Sequence, residues 1–584
     1  MSRKTITLFM WGYQLHYRYD VERRMNNVMA ELGVEDAGAE CLVVGATVPG
    51  ESKPHEVCVE PEDGKWPLEL FDGLLAAIEA EVREHPLQNM YYGDEPSMRD
   101  KPENIRRDSA RKAVQAALAT YDSDNEVRSF AGRPAPVEGY YVVPVLQLPE
   151  AIFHRFPPLN EPITDGHFHG SPSLIHSAVA QVLNEAYDEL LRPDPGRLLS
   201  GRSRSAEEIV RRAATDFMHT PVLSIGTRNY GGADLFERFN LISSLMYEGT
   251  EGTGRMLLAN PSGSAVDVHL ELSEPVPFRQ PRWARKVLQM ASAETALIAD
   301  CENILGLGTV ADGVDPMATQ NVFMVEFHDH FHWSLCCGEQ VLLVSRYGVP
   351  ALPQERFPRN RLVDTFRRLF DEATDDDVDA FTALFDTAVA QRHGSMLVVA
   401  RDAADEAERL RGQGTRVSPV KLSPSLYRRV SDIDGTIIVD PHCVCHAIGV
   451  ILDGPARPEC TPSRGSRYNS GIRYVGASEV PRLAVVVSDD RTVDVIPVLK
   501  PRVARSTIEE QLAQLESSSR DNYHPAINWL DRHRFYLNES QCDRVNAALE
   551  RIGSEPMEVG EIMIQWREFA PNPGLTEDYF EAEQ

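Results

Sequence analysis

The sequence predicts a multidomain α/β protein. An α/β or α+β regulatory region over residues 1–355 precedes a C-terminal mixed-sheet α/β domain over 356–505 and a helical appendage over 506–584. Three observations carry this prediction. The chain has 584 residues, whereas a single hydrophobic core stops growing near about 250–300. Hydrophobic residues make up 42% and charged residues 25%, with 38 Gly and 39 Pro, the composition of folded domains and not of disorder. Short apolar runs alternate with stretches whose apolar residues recur every three or four positions.

The first 150 residues set the pattern. Residues 5–10 read as a strand. Asp20 is expected to cap a helix carrying Val21, Met25, Val28, Met29 and Leu32 on one face, stopped by Gly33. Residues 41–44 read as a buried strand and 70–82 as a second helix, while the polar stretch 91–103 breaks the periodicity. No motif stands out in this unit, and a docking or sensing module is the reading that fits it.

A second unit is expected over 151–355. Leu174, Ile175, Ala178, Val179, Val182, Leu183, Ala186 and Leu190 form a helical stripe. Residues 192–204, rich in Pro, Gly, Ser and Arg, read as a connection, after which Ser205-Ala-Glu-Glu208 has the form of a capping box. Strands are expected at 266–272, 322–335 and 341–344.

In the third unit, Leu362, Val363, Phe366, Leu369 and Phe370 give one apolar helix face, and Val378, Phe381, Leu384, Phe385 and Val389 another. Thr374 is placed to cap the second, and Asp375, Asp376 and Asp377 suit the positive end of its dipole. A strand at 396–400, a helix opened by Asp402 and closed by Gly412, and strands at 435–440, 443–451, 483–487 and 493–498 complete a domain of ordinary size. Ser506-Thr-Ile-Glu509 resembles another capping box, and Val545, Leu549 and Ile552 mark a last helix.

Charge narrows the function. Asp plus Glu number 88 against 59 Lys plus Arg, a formal charge of −29. Such a surface repels phosphate backbones and anionic lipid, so neither nucleic acid nor a membrane is an expected partner. No stretch reaches the roughly 20 apolar residues that span a bilayer. Nine cysteines, an odd number, do not make a disulfide framework. A reduced, cytoplasmic protein is expected.

Chemistry gathers between 433 and 490. Asp434-Gly435-Thr436 precedes the apolar run Ile437-Ile-Val439. A carboxylate followed by Gly at a strand start can offer an oxygen to Mg²⁺ or Mn²⁺ while the backbone stays open to close approach. Residues 462–471 hold two Gly, three Ser, two Arg and one Asn in ten positions. Successive amides of such a loop form an anion nest, and Arg464, Arg467 and Arg473 make a local positive spot in an acidic chain. Finally Leu483-Ala-Val-Val-Val487 delivers Ser488-Asp489-Asp490 at its carboxyl end, where α/β sheets gather ligand sites.

These three segments, in this order, resemble the diadenylate cyclase domain family, whose members join two ATP molecules into cyclic di-AMP. The family pattern is an Asp-Gly-Ala segment, a Gly-Thr-Arg-His-Arg-type loop and a Val-Val-Ser-Glu-Glu-type strand end. The matching positions are Asp434-Gly435-Thr436, Gly465-Ser466-Arg467-Tyr468-Asn469-Ser470 and Val486-Val487-Ser488-Asp489-Asp490. The resemblance covers about residues 375–505. Tyr468 and Asn469 stand where the family has His and a second Arg. One lost charge-assisted hydrogen bond is worth about 1.5–3 kcal/mol, and Arg473 is near enough in sequence to make up part of it.

The resemblance implies attack of one nucleotide's 3′-oxygen on the α-phosphate of the other, with pyrophosphate leaving. It assigns Asp434, with Gly435, Thr436 and Arg467, to catalysis, and Asp434 and Asp490 to Mg²⁺ or Mn²⁺. It assigns ATP binding to Gly465, Ser466, Arg467, Tyr468, Asn469, Ser470 and Ser488, with Leu452 against adenine. One domain holds one ATP, so a homodimer or larger homo-oligomer is implied, and aligning two substrates contributes about 7–11 kcal/mol. The long N-terminal extension fits second-messenger signalling, in stress or anti-phage responses. The alternatives are a catalytically silent nucleotide receptor, or an enzyme making a different dinucleotide.

Other clusters carry less. His328-Asp-His330-Phe-His332 would place three imidazoles on one face of a strand, and His167-Phe-His169 repeats the spacing; a polar strand face is the expected reading. In His442-Cys-Val-Cys445-His446 the thiols and imidazoles alternate sides, which disfavours one metal site. Gly306-Leu-Gly308 lacks the rest of a dinucleotide fingerprint.

Overall fold

The computed structural model describes residues 8–62, 65–160, 164–165, 168–197, 204–226, 234–247, 252–292, 294–353, 357–391, 394–461, 465–488, 493–497, 499–520, 523–555, 566–572 and 574–581. The protein is a mixed α/β, multidomain chain with several multi-stranded sheets, and it divides into two compact units, Met1–Gln354 and Glu355–Gln584.

Among the described residues the first unit contains two large sheets and a two-stranded pair, 164–165 with 168–169. One is antiparallel, with strands β1 (Glu40–Thr47), β2 (Val57–Glu60), β3 (Val127–Ala131), β4 (Ala135–Val137) and β5 (Tyr140–Pro149) in the order β2-β1-β5-β3, β4 also pairing with β5. Both faces are covered, so the strands read as continuous apolar runs and not as alternating ones. Cys41, Val43, Val142 and Leu146 face helices α1 (Gln14–Glu31) and α4 (Leu174–Leu190). Leu42, Val44, Val143 and Val145 face α2 (Leu74–Glu84) and α3 (Glu95–Ala117). The helix α5 (Ala206–Phe217) joins the first of these cores through Ile209, Val210, Ala213 and Phe217.

The second large sheet has eight strands: β6 (Gly254–Ala259), β7 (Val266–Pro277), β8 (Ala296–Ala299), β9 (Asn303–Val310), β10 (Val322–Asp329), β11 (His332–Cys337), β12 (Gln340–Arg346) and β13 (Val349–Ala351), in the order β13-β12-β11-β10-β6-β8-β9-β7. Helix α6 (Leu235–Ser244) packs Phe236 and Phe239 on Trp333. Gly306 and Gly308 lie in β9, where a Cβ would strike the backbone of Leu270 and Asp267 in β7. These glycines serve close strand approach, not a nucleotide.

Several expectations are corrected here. Residues 8–10 are not in a strand, and 5–7 lie outside the described residues. Helix α1 begins six residues before Asp20, at Gln14, whose side-chain oxygen accepts from the Met10 and Trp11 amides ahead of the helix. Asp20 sits inside that helix, paired with Arg23 and Arg24. The polar stretch 91–103 enters α3: Asp94 caps it by accepting from the Ser97 amide, and Ala110, Ala113 and Val114 suffice to dock it. Ser205 does cap α5, but Glu208 turns to Arg204 and Arg212, so only half of the box is made. The single strand expected over 322–335 is the hairpin β10–β11, turned at Phe331 with φ +56°.

The second unit is built on a six-stranded sheet, β14 (Ser395–Ala400), β15 (Thr415–Lys421), β16 (Thr436–Val439), β17 (Val444–Val450), β18 (Arg482–Val487) and β19 (Val493–Ile496), in the order β15-β17-β16-β14-β18-β19. Only β14 and β16 run parallel. Helices α7 (Arg359–Leu369), α8 (Asp375–Ala390) and α10 (Pro424–Val430) cover one face through Phe366, Phe381, Leu384 and Tyr427. The Thr374–Asp377 capping box of α8 is complete. Helices α9 (Ala403–Arg409) and α11 (Ser466–Gly476) cover the other face through Ala403, Ala407 and Tyr474.

Strand β15 and helix α10 had no sequence signal: β15 is an exposed edge without a buried face, and α10 is only seven residues long. Three further helices, α12 (Arg505–Ser517), α13 (His524–Arg532) and α14 (Glu539–Gly553), share a separate core of Ile508, Leu512, Ile527, Leu530 and Val545. Ser506 and Glu509 lie within α12, where Glu509 pairs with Arg544 instead of closing a cap. Among the described residues no helix is long and apolar enough to cross a membrane.

Candidate functional site

Strand register brings the first and third sequence segments to one end of the sheet. Parallel β14 and β16 pair Met396 with Thr436, and antiparallel β14 and β18 pair Ser395 with Val487. The start of β16 and the end of β18 therefore share an edge, with β14 between them. At a strand spacing of about 4.8 Å, Asp434 and Ser488 emerge roughly 10 Å apart in the sheet direction. Asp490 lies outside the described residues, as do Asp489, Ser463 and Arg464.

Gly435 is required where it stands. Its φ is +117°, and a Cβ there would lie 2.5 Å from the Gly449 carbonyl carbon, with Gly449 itself at φ +60°. This close crossing of β16 and β17 turns Asp434 outward: its side chain is 95% exposed. Thr436, the next residue but one, is fully enclosed, and its hydroxyl has no hydrogen-bond partner among the described residues.

The segment read as an anion loop is a helix from Ser466 onward. Gly465 is the N-cap, and Ser466, Arg467, Tyr468, Asn469 and Ser470 form the first turns of α11. The helix lies close on the sheet because residue 471 is Gly: a Cβ there would meet Ile496 at 3.0 Å and Val486 at 3.4 Å. The Arg467 guanidinium reaches the Asp434 carboxylate at 3.5 Å. Helical geometry also corrects the expected positive spot, because Arg473 sits about 120° around the axis from Arg467 and about 9 Å along it.

The two departures from the family pattern have different surroundings. Tyr468 packs against the cluster of Leu452 and Tyr474. The Asn469 amide accepts from the Thr461 amide at 3.0 Å and donates to the Thr461 carbonyl at 3.0 Å and the Gly465 carbonyl at 3.3 Å. Asn469 thus ties together the two ends of the loop before α11, a role that arginine could not copy. Leu452 follows β17, is 8% exposed and belongs to that same apolar cluster.

Behind this surface runs a charge network that the sequence does not announce. Arg409 forks onto Asp453 and onto Glu406, Tyr474 donates to Glu406 at 2.8 Å, and Arg482 bridges Asp402 and Glu406. Burial alone would raise the Glu406 carboxyl, but Arg409, Tyr474 and Arg482 outweigh it and hold it below the usual range. The one available signal, a cation in the last turn of α9, says nothing of a partner 44 residues away.

The chemistry of the donor set suits a metal that arrives with a triphosphate. Among the described residues no group of three or more His, Cys, Asp or Glu forms a cation cage. Mg²⁺ takes one or two protein carboxylates and completes its shell with water and phosphate oxygens, and Asp434 is an exposed carboxylate of that kind. The other clusters do not compete. His328 bonds Ser334 and His332 bonds Asp329, their rings 4.6 Å apart, while His330 meets Phe331 edge-on, so the three imidazoles do not converge on one point. His167 lies outside the described residues. His442 pairs with Asp377 and His446 with Asp440, while Cys443 and Cys445 are buried in the core.

Comparison with known proteins gives two family matches in the first unit. A model described as a probable sensor domain, DACNG, matches residues 10–218, and one described as a probable sensor domain, DACNH, matches residues 233–339. No curated protein matches the chain. Among solved structures, a double cysteine mutant of DacA from Staphylococcus aureus is similar at 18% identity and a TM-score of 0.19, over 24% of this chain and 97% of that one. A hypothetical membrane spanning protein from Bacillus cereus is similar at 20% identity and a TM-score of 0.19, over 22% of this chain and 63% of that one.

Proposed function

We propose that the second unit is a diadenylate cyclase, condensing two ATP into cyclic di-AMP and pyrophosphate, and that the first unit is its sensor. The observation that carries this reading is the meeting of Asp434, turned outward by Gly435, with Arg467 in the first turn of a helix opened by Gly465 and Ser466. The probable sensor domains over residues 10–218 and 233–339 support the division of labour, being of the kind that precedes diadenylate cyclases.

In this reading the amides and hydroxyls of Gly465, Ser466 and Ser470 hold the triphosphate at the positive end of α11. Arg467 neutralises charge that builds on the phosphorus, and Leu452 and Tyr468 lie toward the base. Asp434, with Asp490, would hold Mg²⁺ or Mn²⁺, which would supply charge stabilisation at the α-phosphate and lower the pKa of the attacking hydroxyl. Asp434 also orients that 3′-hydroxyl. Because one domain offers one nucleotide site, two copies of the chain bring their substrates together. The role in the cell is second-messenger signalling in the cytoplasm.

Asn469 favours a second reading. Its amide is committed to Thr461 and Gly465, so the charge that the family's second Arg supplies is not replaced at this position. A nucleotide-binding sensor without turnover, or an enzyme with another dinucleotide product, follows from that loss. One experiment separates the three: the full chain is incubated with ATP and Mn²⁺ or Mg²⁺, with and without GTP, and the products are identified by mass. Cyclic di-AMP supports the cyclase. Bound but unaltered ATP supports the sensor, and a mixed or linear dinucleotide supports the third reading.

A further inference from the structure

We propose that Arg409 and Asp453 are positioning residues for the base end of the nucleotide site, a role that rests on the cyclase reading above. The Arg409 guanidinium meets the Asp453 carboxylate through two hydrogen bonds of 2.7 Å each, a planar fork that fixes both distance and orientation. The same guanidinium meets Glu406 through two bonds of 2.8 Å. Glu406 is 7% exposed and is held in turn by Tyr474 of α11 and by Arg482 of β18. Four separate pieces of chain are therefore joined: α9, the segment after β17, α11 and β18.

The segment held by Asp453 is the one that carries Leu452. On its other side Gly454, at φ +150°, runs so close to α11 that a Cβ would lie 2.7 Å from the Arg473 carbonyl oxygen. Leu452 is thus fixed from both flanks relative to the helix that carries Arg467 and Tyr468. Asp453 is itself 43% exposed and its carboxyl is held below the usual range by Arg409. A half-exposed carboxylate at a loop is not needed to fill the core, so the fork sets the place of Leu452 and not the stability of the domain.

The test uses the full chain with Asp453→Asn, which keeps the shape and loses the charge, and Asp453→Glu, which restores the charge. ATP KM is expected to rise about tenfold in Asp453→Asn, the effect of one charge-assisted hydrogen bond, with kcat within about twofold and the thermal midpoint unchanged. Asp453→Glu recovers part of that loss. Inhibition by adenosine weakens in Asp453→Asn while inhibition by inorganic triphosphate does not, because only the base end has moved. An unchanged KM, a loss confined to kcat, or an equal loss of triphosphate inhibition overturns the proposal. A lowered midpoint with normal kinetics makes the fork purely structural and overturns it too. Wild-type protein that turns over no ATP overturns the cyclase reading itself, a result distinct from all of these.

Discussion

The carboxylate of Asp434 and the guanidinium of Arg467 lie 3.5 Å apart although 33 residues separate them in sequence. Strand β16 delivers the first and helix α11 the second, and both stand at one edge of the sheet. This pair is the centre of the proposed nucleotide site, and four expectations can be checked around it and beyond it.

Asp434→Asn keeps the fold, because the side chain is almost wholly exposed and supports no packing. Product formation is expected to fall about a thousandfold, since a metal-binding carboxylate contributes at the transition state. Mass detection of cyclic di-AMP from wild type and variant checks this, and an unchanged yield would move the metal to another residue.

Gly435→Ala is expected to cost about 1–3 kcal/mol from the backbone conformation alone, before the contact with Gly449 is counted. The thermal midpoint of the second unit falls, and activity falls with it because Asp434 is displaced. Gly412→Ala, where a Cβ meets nothing within 4 Å, is the control and leaves both unchanged.

On the proposed cyclase reading, specific activity is expected to drop on dilution, because two half-sites would have to meet to join two nucleotides. Turnover measured across a range of protein concentrations, alongside sedimentation, tests this. A monomer that works at full rate would refute the assignment.

His176 makes the first unit acid-sensitive. Its ring is enclosed between Phe130 and Phe153, and burial, with the nearby Arg128, pushes it down from 6.5 to about 4. Between those values the unfolded chain takes up a proton that the folded protein refuses. The contribution of the neutral ring is therefore complete above about pH 6.5 and is lost as pH falls toward about 4, by about 3 kcal/mol at 1.36 per unit. Urea midpoints of wild type should fall over that range, and those of His176→Leu should fall less. Parallel curves would show that the imidazole is not the group responsible.

Local order was legible wherever one residue type has one physical use. The α8 cap at Thr374 and Asp377, the apolar stripe of α4 and the central strands β14 and β18 stand close to where periodicity and capping put them. Element starts depart from the pattern where a capping residue type falls inside a longer helix, as Asp20 does in α1 and Ser506 in α12. The segment 462–471 looked like a loop because Gly, Ser and Asn are poor helix formers. It is helical from Ser466 because Gly471 and Tyr474 gain sheet contacts that outweigh propensity.

The amino-acid order alone determined which residues were worth watching: Asp434 before a buried strand, Arg467 in a run of small donors, and Ser488 after another strand. It did so because glycine, carboxylate and guanidinium have few chemical substitutes at such positions. Only the three-dimensional fold decided who meets whom. The antiparallel register of β18 against β14 puts one strand's end beside another's beginning, and the fork from Arg409 to Asp453 crosses 44 residues. Contacts of that kind arise from chain packing between distant elements, and no periodicity or spacing within either element encodes them.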